Sequence, residues 1–167
     1  TNHKGDFKMI FTEISSEELR QFQKESDHRY FFQQDASYSK LTKKNNLKTK
    51  ILAVVEGNTL LAYGTFVYFP YKKFFYKVTT QHGPVMNYSN TELARFYFEQ
   101  LKKYYAKNFR VLCVRINPFI NEHIYKNIEF IETTEESTQT NKILTSLGYK
   151  PLNDDLFTNP TLASRFL

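Results

Sequence analysis

The chain has 167 residues, a formal net charge of +6 and a pI of about 9.2. That length makes one domain, able to bury about 70% of the surface its unfolded chain exposes. The positive balance favours a polyanionic partner such as nucleic acid, a nucleotide diphosphate or an anionic membrane. No run of 18 apolar residues and no signal-peptide pattern occurs, which excludes a spanning helix in this sequence.

Thr1–Asp6 is polar and expected to fray. Lys8–Glu13 reads as a short strand. Ser15–Ser16–Glu17–Glu18 is a capping box, with Ser15 as cap and Glu18 reaching back, and its helix continues through Leu19 and Phe22 to about Ser26. Tyr30–Gln34 reads as extended. Asp35 is placed to cap a second short helix through Tyr38, Lys40 and Leu41. From Lys40 to Lys50 there are five lysines and no acid. Lys43–Lys50 is expected to be a solvated loop, and the lysine run a possible phosphate-contacting patch.

Ile51–Glu56 is a strand, Gly57–Asn58 a tight turn, and Leu60–Phe69 the returning strand. After a turn at Pro70, a third strand starts at Tyr71 and completes an antiparallel meander with aromatic faces. The strand ends near Thr80, followed by a turn at His82–Gly83–Pro84. Ser89–Asn90–Thr91–Glu92 is a second capping box, with Ser89 as cap. The helix behind it carries Leu93, Phe96, Tyr97, Leu101, Tyr104 and Tyr105 at helical spacing. Arg110–Asn117 is then a strand stopped by Pro118, whose apolar middle suggests that both faces are covered. The lone Cys113 within it is most simply a small core residue, consistent with a reducing cytoplasm.

Phe119–Glu136 is acid-rich, lacks a clear period and reads as a long loop. Thr138–Leu147 is a helix ended by Gly148. Pro151–Thr161 reads as loop, and Leu162–Leu167 as the beginning of a strand. The order of elements is that of an α/β fold of the GNAT (acyl-CoA N-acyltransferase-like) type, with a mixed, largely antiparallel sheet flanked by helices.

Most of the familiar chemical signatures are missing. The four histidines and Cys113 have no zinc spacing. There is no nucleophile elbow and no P-loop. The five glycines are isolated, and Pro84 removes an N–H where a coenzyme A-binding turn would supply one. The topology suggests an acyltransferase, while the loop argues against coenzyme A.

Three blocks, however, resemble the N-terminal half of the FemABX peptidyltransferases. The first is Phe32–Gln33–Gln34–Asp35–Ala36–Ser37–Tyr38–Ser39–Lys40, similar to the family's Gln-then-aromatic-then-Lys segment. The second, Gly83–Pro84–Val85–Met86–Asn87–Tyr88, is similar to its Gly-Pro-Val-apolar-Asp-Tyr signature. The third, Val114–Arg115–Ile116–Asn117–Pro118, is similar to its strand ending in Asp-Pro. Leu147–Gly148–Tyr149 matches the usual helix end.

The resemblance implies an aminoacyltransferase of peptidoglycan bridge synthesis, using aminoacyl-tRNA as co-substrate and no bound cofactor or metal. It would transfer an amino acid to the stem-peptide amine of a UDP-linked or lipid-linked muropeptide. Residues 1–167 would be one GNAT-like domain, the N-terminal, precursor-binding part of a longer two-domain protein, inactive by itself. The expected location is cytoplasmic, with possible peripheral contact with the inner membrane face. Lys40 occupies the place of a lysine that contacts the precursor diphosphate. Asn87 stands where the family has an Asp proposed as the base, and Asn117 replaces a second Asp. An amide cannot take a proton at neutral pH. Gln34, Tyr38, His82, Gly83 and Tyr88 complete the candidate site. Two other functions fit the residues: a non-catalytic GNAT-like module binding RNA or another anionic partner, and a small-molecule N-acetyltransferase.

Overall fold

In the computed structural model, residues 8–25, 29–120, 123–126, 129–151 and 164–165 are described. Thr1–Asp6 and the greater part of Pro151–Thr161 and Leu162–Leu167 lie outside them. Strand β1 (Ile10–Ile14) leads to helix α1 (Ser16–Glu25) through the expected box. The Glu18 N–H donates to Ser15 Oγ at 3.1 Å and Ser15 N–H to Glu18 Oε2 at 2.7 Å. Leu19 is fully buried and Phe22 packs beside it.

The next segment departs from expectation. Phe32–Gln34 is a 3₁₀ turn rather than an extended stretch, with Gln34 N–H donating to Phe31 C=O. Helix α2 is Tyr38–Lys44, and Ser37, not Asp35, stands at its start. Asp35 accepts from Ser37 N–H at 2.7 Å instead, bracing a turn two residues ahead. The lysine run is less loop than expected: α2 continues to Lys44 and strand β2 (Lys48–Glu56) begins four residues later. A 2.6 Å hydrogen bond between the hydroxyls of Thr42 and Thr49 ties helix to strand and shortens the connection.

Strands β2, β3 (Thr59–Tyr71) and β4 (Phe75–Thr80) form the meander. Gly57 takes φ +58° in the first turn. Pro70 lies inside β3 opposite Tyr76, so the second turn is at Lys72–Phe74, where Lys72 has φ +52°. The short β5 (Val85–Met86) pairs with β3. Helix α3 (Thr91–Ala106) is capped by Asn90, whose Oδ1 accepts from Leu93 N–H at 3.0 Å. Ser89, the expected cap, bonds Glu136 instead.

Strand β6 (Val111–Ile116) is parallel to β4, and its neighbour on the other side is β10 (Ser164–Arg165). Both faces of β6 are not covered along its length: Val114 and Ile116 are buried, but Leu112 is 44% exposed. The expected long loop contains a hairpin, β7 (His123–Lys126) with β8 (Glu129–Thr133), which pairs with itself and not with the large sheet. Its many acids obscured two strands too short to show a period. Helix α4 (Glu135–Ser146) starts at a Thr134 cap and ends at Gly148, φ +83°, with β9 (Lys150–Pro151) after it.

The described sheet runs β1-β2-β3-β4-β6-β10-β9, with β5 beside β3. One face packs Leu52, Phe66, Tyr68, Val78, Val114 and Ile116 against Leu93, Tyr97, Phe98, Leu101 and Tyr105 of α3. Gly64 makes room there: an added Cβ would lie 2.9 Å from the Tyr97 hydroxyl, which donates to Leu52 C=O. The other face packs Ile51, Ala53, Tyr63 and Val85 against Leu19 and Ala36. This second layer lies over β2 and β3; the same face of β4 and β6 carries only half-buried residues, Lys77, Thr79, Cys113 and Arg115.

Candidate functional site

The site lies where the sheet parts. Strands β3 and β4 pair from Tyr71–Phe75 back to Val67–Thr79. Beyond that point β3 turns to β5, while β4 runs parallel to β6 up to Thr80 and Ile116. A parallel pair joined through a crossover helix leaves a crevice at its C-terminal end, a favoured ligand position in α/β sheets.

Gln34 closes the gap. Its Oε1 accepts from Thr65 N–H of β3 at 2.8 Å, and its Nε2 donates to Gln81 C=O at 2.6 Å and Thr80 Oγ1 at 3.0 Å. The side-chain amide thus replaces a missing rung of the ladder. Gln23 holds the segment from outside, donating to Gln34 C=O and accepting from Ala36 N–H. The role of Gln23 was not legible in the sequence, since its partners are 11 and 13 residues away. Gly83 packs on the Gln34 amide and accepts from Asn117 N–H at 3.1 Å. The second and third blocks therefore meet at Gly83 and Asn117, and the first block lies beneath them. The Gly83–Pro84 peptide is cis.

Several of the candidate site residues are buried or committed to bonds within the protein. Gln34 is fully buried with its amide used internally, where it shapes the crevice. Tyr88 is 4% exposed and its hydroxyl donates to Pro84 C=O. Burial pushes that phenol well above its ordinary pKa, so it stays protonated. Gly83 is also buried. Asn87 is exposed, but its Oδ1 accepts from Ser89 N–H at 3.1 Å in the turn before α3, the work of a turn residue.

The accessible groups are others. His82, at φ +50°, stacks on Phe31 with ring centroids 4.3 Å apart, and Phe119 meets Phe31 edge-on at 4.6 Å. Phe31 and Phe119 are both more than a third exposed. Neither phenylalanine was singled out by the sequence, where they are two among 16. Tyr38 is half-buried beside a shallow cleft of about 10 Å3 that also meets Gln33, Thr65, Phe69, Thr79 and Gln81. Lys40 is exposed on α2, and its ammonium has no hydrogen bond or ion pair among the described residues. Two residues further along a helix is about 200° further round, so Lys40 does not share the Tyr38 face. Lys50, at the end of the same run, is committed: its ammonium bonds Glu13 at 2.6 Å and Tyr104 at 2.7 Å. Burial opposes that charge, but the two partners outweigh it and hold Lys50 above its ordinary pKa.

Between Asp35 and Glu92 the one acid is Glu56, against Lys40, Lys43, Lys44, Lys48, Lys50, Lys72, Lys73 and Lys77. The field over α2 and the meander is therefore positive. Among the described residues no group of three His, Cys, Asp or Glu is placed to hold a metal, and no helix is long and apolar enough to cross a membrane.

Fold and crevice together define a GNAT-type α/β domain. An N-acetyltransferase from Staphylococcus aureus Mu50 superposes with a TM-score of 0.55 at 9% identity, over 95% of this chain and 94% of that one. The structure of FemX superposes with a TM-score of 0.63 at 18% identity, over 85% of this chain and 32% of that one. The profile of the FemAB family matches residues 14–152, and the chain belongs to that family. The aminoacyltransferase FemA of Staphylococcus epidermidis is 26% identical over 143 residues, 85% of this chain and 34% of FemA. FemA of Staphylococcus aureus is 28% identical over 113 residues, 67% and 26% of the two chains. The chain spans about a third of the length of the relatives it matches.

Proposed function

We propose that this domain binds the precursor in an aminoacyltransferase of peptidoglycan bridge synthesis, which moves an amino acid from aminoacyl-tRNA to a stem-peptide amine. Membership of the FemAB family over residues 14–152 carries the reading. The crevice at the β4–β6 junction, the exposed Phe31–His82–Phe119 cluster and the positive field over α2 support it. Lys40 is the proposed contact for the diphosphate of a UDP-linked or lipid-linked muropeptide, reaching it from the rim as a point charge. The domain acts as the N-terminal part of a longer, cytoplasmic enzyme, and is inactive without the rest.

Transfer here rests on positioning. An aminoacyl ester is already activated, and a general base typically adds about 10²–10⁴-fold. Asn87 supplies none, and it is committed to the turn before α3. An acetyl-CoA donor is disfavoured because the start of α3 is occupied by its own cap, Asn90, and Pro84 has no N–H to offer.

Calorimetry with a UDP-linked muropeptide on the wild-type chain and Lys40→Ala tests the reading. Saturable binding that weakens in the variant is expected; absence of binding to the wild type would sink it. The engaged Asn87 amide favours one alternative, a non-catalytic module for RNA. That reading expects tRNA binding with a steep salt dependence and none for muropeptide.

A further inference from the structure

We propose that the end of the sheet opposite the crevice docks on an anionic lipid bilayer. Phe74 and Phe109 enter the headgroup layer, and Lys72, Lys73, Lys107 and Arg110 meet lipid phosphates. Strands β4 and β6 are parallel and start level, with Tyr76 beside Val111 and Tyr76 N–H donating to Arg110 C=O at 2.8 Å. The β3–β4 turn at residues 72–74 and the α3–β6 connection at residues 107–110 therefore project side by side. This end lies about 17 Å along β4 from Thr80 and the crevice, so its docking does not depend on what the crevice holds.

Large apolar side chains face water there. Phe74 is 62% exposed, Phe109 81% and Leu112 44%. Single exposed apolar side chains are ordinary, but a cluster of them rimmed by charge marks an interaction surface. Behind Phe109 a groove of about 340 Å3 runs between α3 and β6, lined by Tyr105, Ala106, Val111 and Leu112 among others. Each of the two exposed rings is accompanied by a cation. The Lys73 ammonium lies 5.7 Å from the centre of the Phe74 ring, and the Arg110 guanidinium 5.9 Å from that of Phe109. Lys72 and Lys107 are exposed beside them.

No acid occurs between Glu56 and Glu92 or between Glu99 and Glu122, so both turns lie in stretches of one sign. Charge complementarity selects an anionic partner. Between a bilayer and a nucleic acid, the apolar part decides. A single-stranded nucleic acid would use the rings as stacking platforms, but it has no use for Leu112 or for a groove lined by Ala106 and Val111. A bilayer takes both kinds of group: apolar side chains enter the acyl boundary while the basic ones stay at the level of the phosphates.

The test is flotation of the 167-residue chain with vesicles of mixed phosphatidylglycerol and phosphatidylcholine, and with vesicles of phosphatidylcholine alone. Binding to the mixed vesicles is expected, at least about tenfold stronger than to the neutral ones. Lys72→Gln combined with Lys73→Gln should lose a similar factor. Lys8→Gln combined with Lys24→Gln, an equal loss of exposed charge elsewhere, should lose little. Phe74→Ser combined with Phe109→Ser should lose about tenfold at unchanged charge. The sequence has no Trp, so Phe74→Trp reports from this turn alone. Its emission should move to the blue on the mixed vesicles and be quenched by lipid brominated on the acyl chains. Full binding by the folded serine double variant would overturn the proposal, as would equal losses from the two lysine pairs. A Trp emission unmoved when the vesicles bind would do the same. So would binding to a single-stranded RNA oligonucleotide with none to the mixed vesicles.

Discussion

An added Cβ at Gly83 would lie 2.6 Å from Gln34 Nε2. The amide cannot move aside, because it joins Thr65 N–H to Gln81 C=O where β3 and β4 separate. Two residues 49 positions apart are thus one structural unit, and their chemistry is steric on one side and hydrogen-bonding on the other.

Gly83→Ala should destabilise the domain by about 1–3 kcal/mol through overpacking. Gln34→Ala should cost a similar amount by leaving buried backbone groups unpaired. The double variant should be less destabilised than the sum, because the clash disappears with the side chain. Urea unfolding of the four proteins measures the coupling; strict additivity would break the link.

The start of α3 distinguishes two neighbouring residues. Asn90→Ala should lose about 1 kcal/mol with the cap to Leu93 N–H. Ser89→Ala, which removes an exposed bond to Glu136, should stay within about 0.5 kcal/mol. The reverse order in thermal melts would restore Ser89 as the cap.

Asp35 supplies an acid-range signature. Burial works against its charge, but Ser37 hydroxyl and N–H, the Tyr30 hydroxyl and nearby Arg20 outweigh it and hold the carboxyl below its ordinary 3.8. A depressed carboxylate contributes stability that is present above 3.8 and lost as pH falls through its folded value. Asp35→Ala should therefore be less stable than wild type by about 1 kcal/mol at neutral pH. The gap should close in strong acid, followed by fluorescence-detected unfolding across the acid range. A constant gap would mean that the carboxylate charge contributes nothing.

The exposed ring cluster is expected to serve binding more than folding. Phe31→Ala and Phe119→Ala should each reduce stability by about 0.5–1.5 kcal/mol through the lost ring pair. Each should also weaken muropeptide binding several-fold. Unchanged affinity in both variants would exclude the cluster from the ligand surface.

The sequence alone determined the elements that local rules control. The Ser15–Glu18 box, the helical stripe from Leu93 to Tyr105, the Gly57 turn and the Gly148 stop are decided within four or five residues, and each formed as read. The mixed α/β class and the FemAB likeness were legible in the same way, from the order of elements and three short blocks. Other features depended on partners far along the chain. The α2–β2 junction is shortened by Thr42 and Thr49, Ser89 is turned away from its cap by Glu136, and the β7–β8 pair was hidden by acids. The tertiary structure alone decided which of the named residues face outward. Gln34 and Tyr88 are buried and bond the protein itself, as a polar side chain taken out of water must.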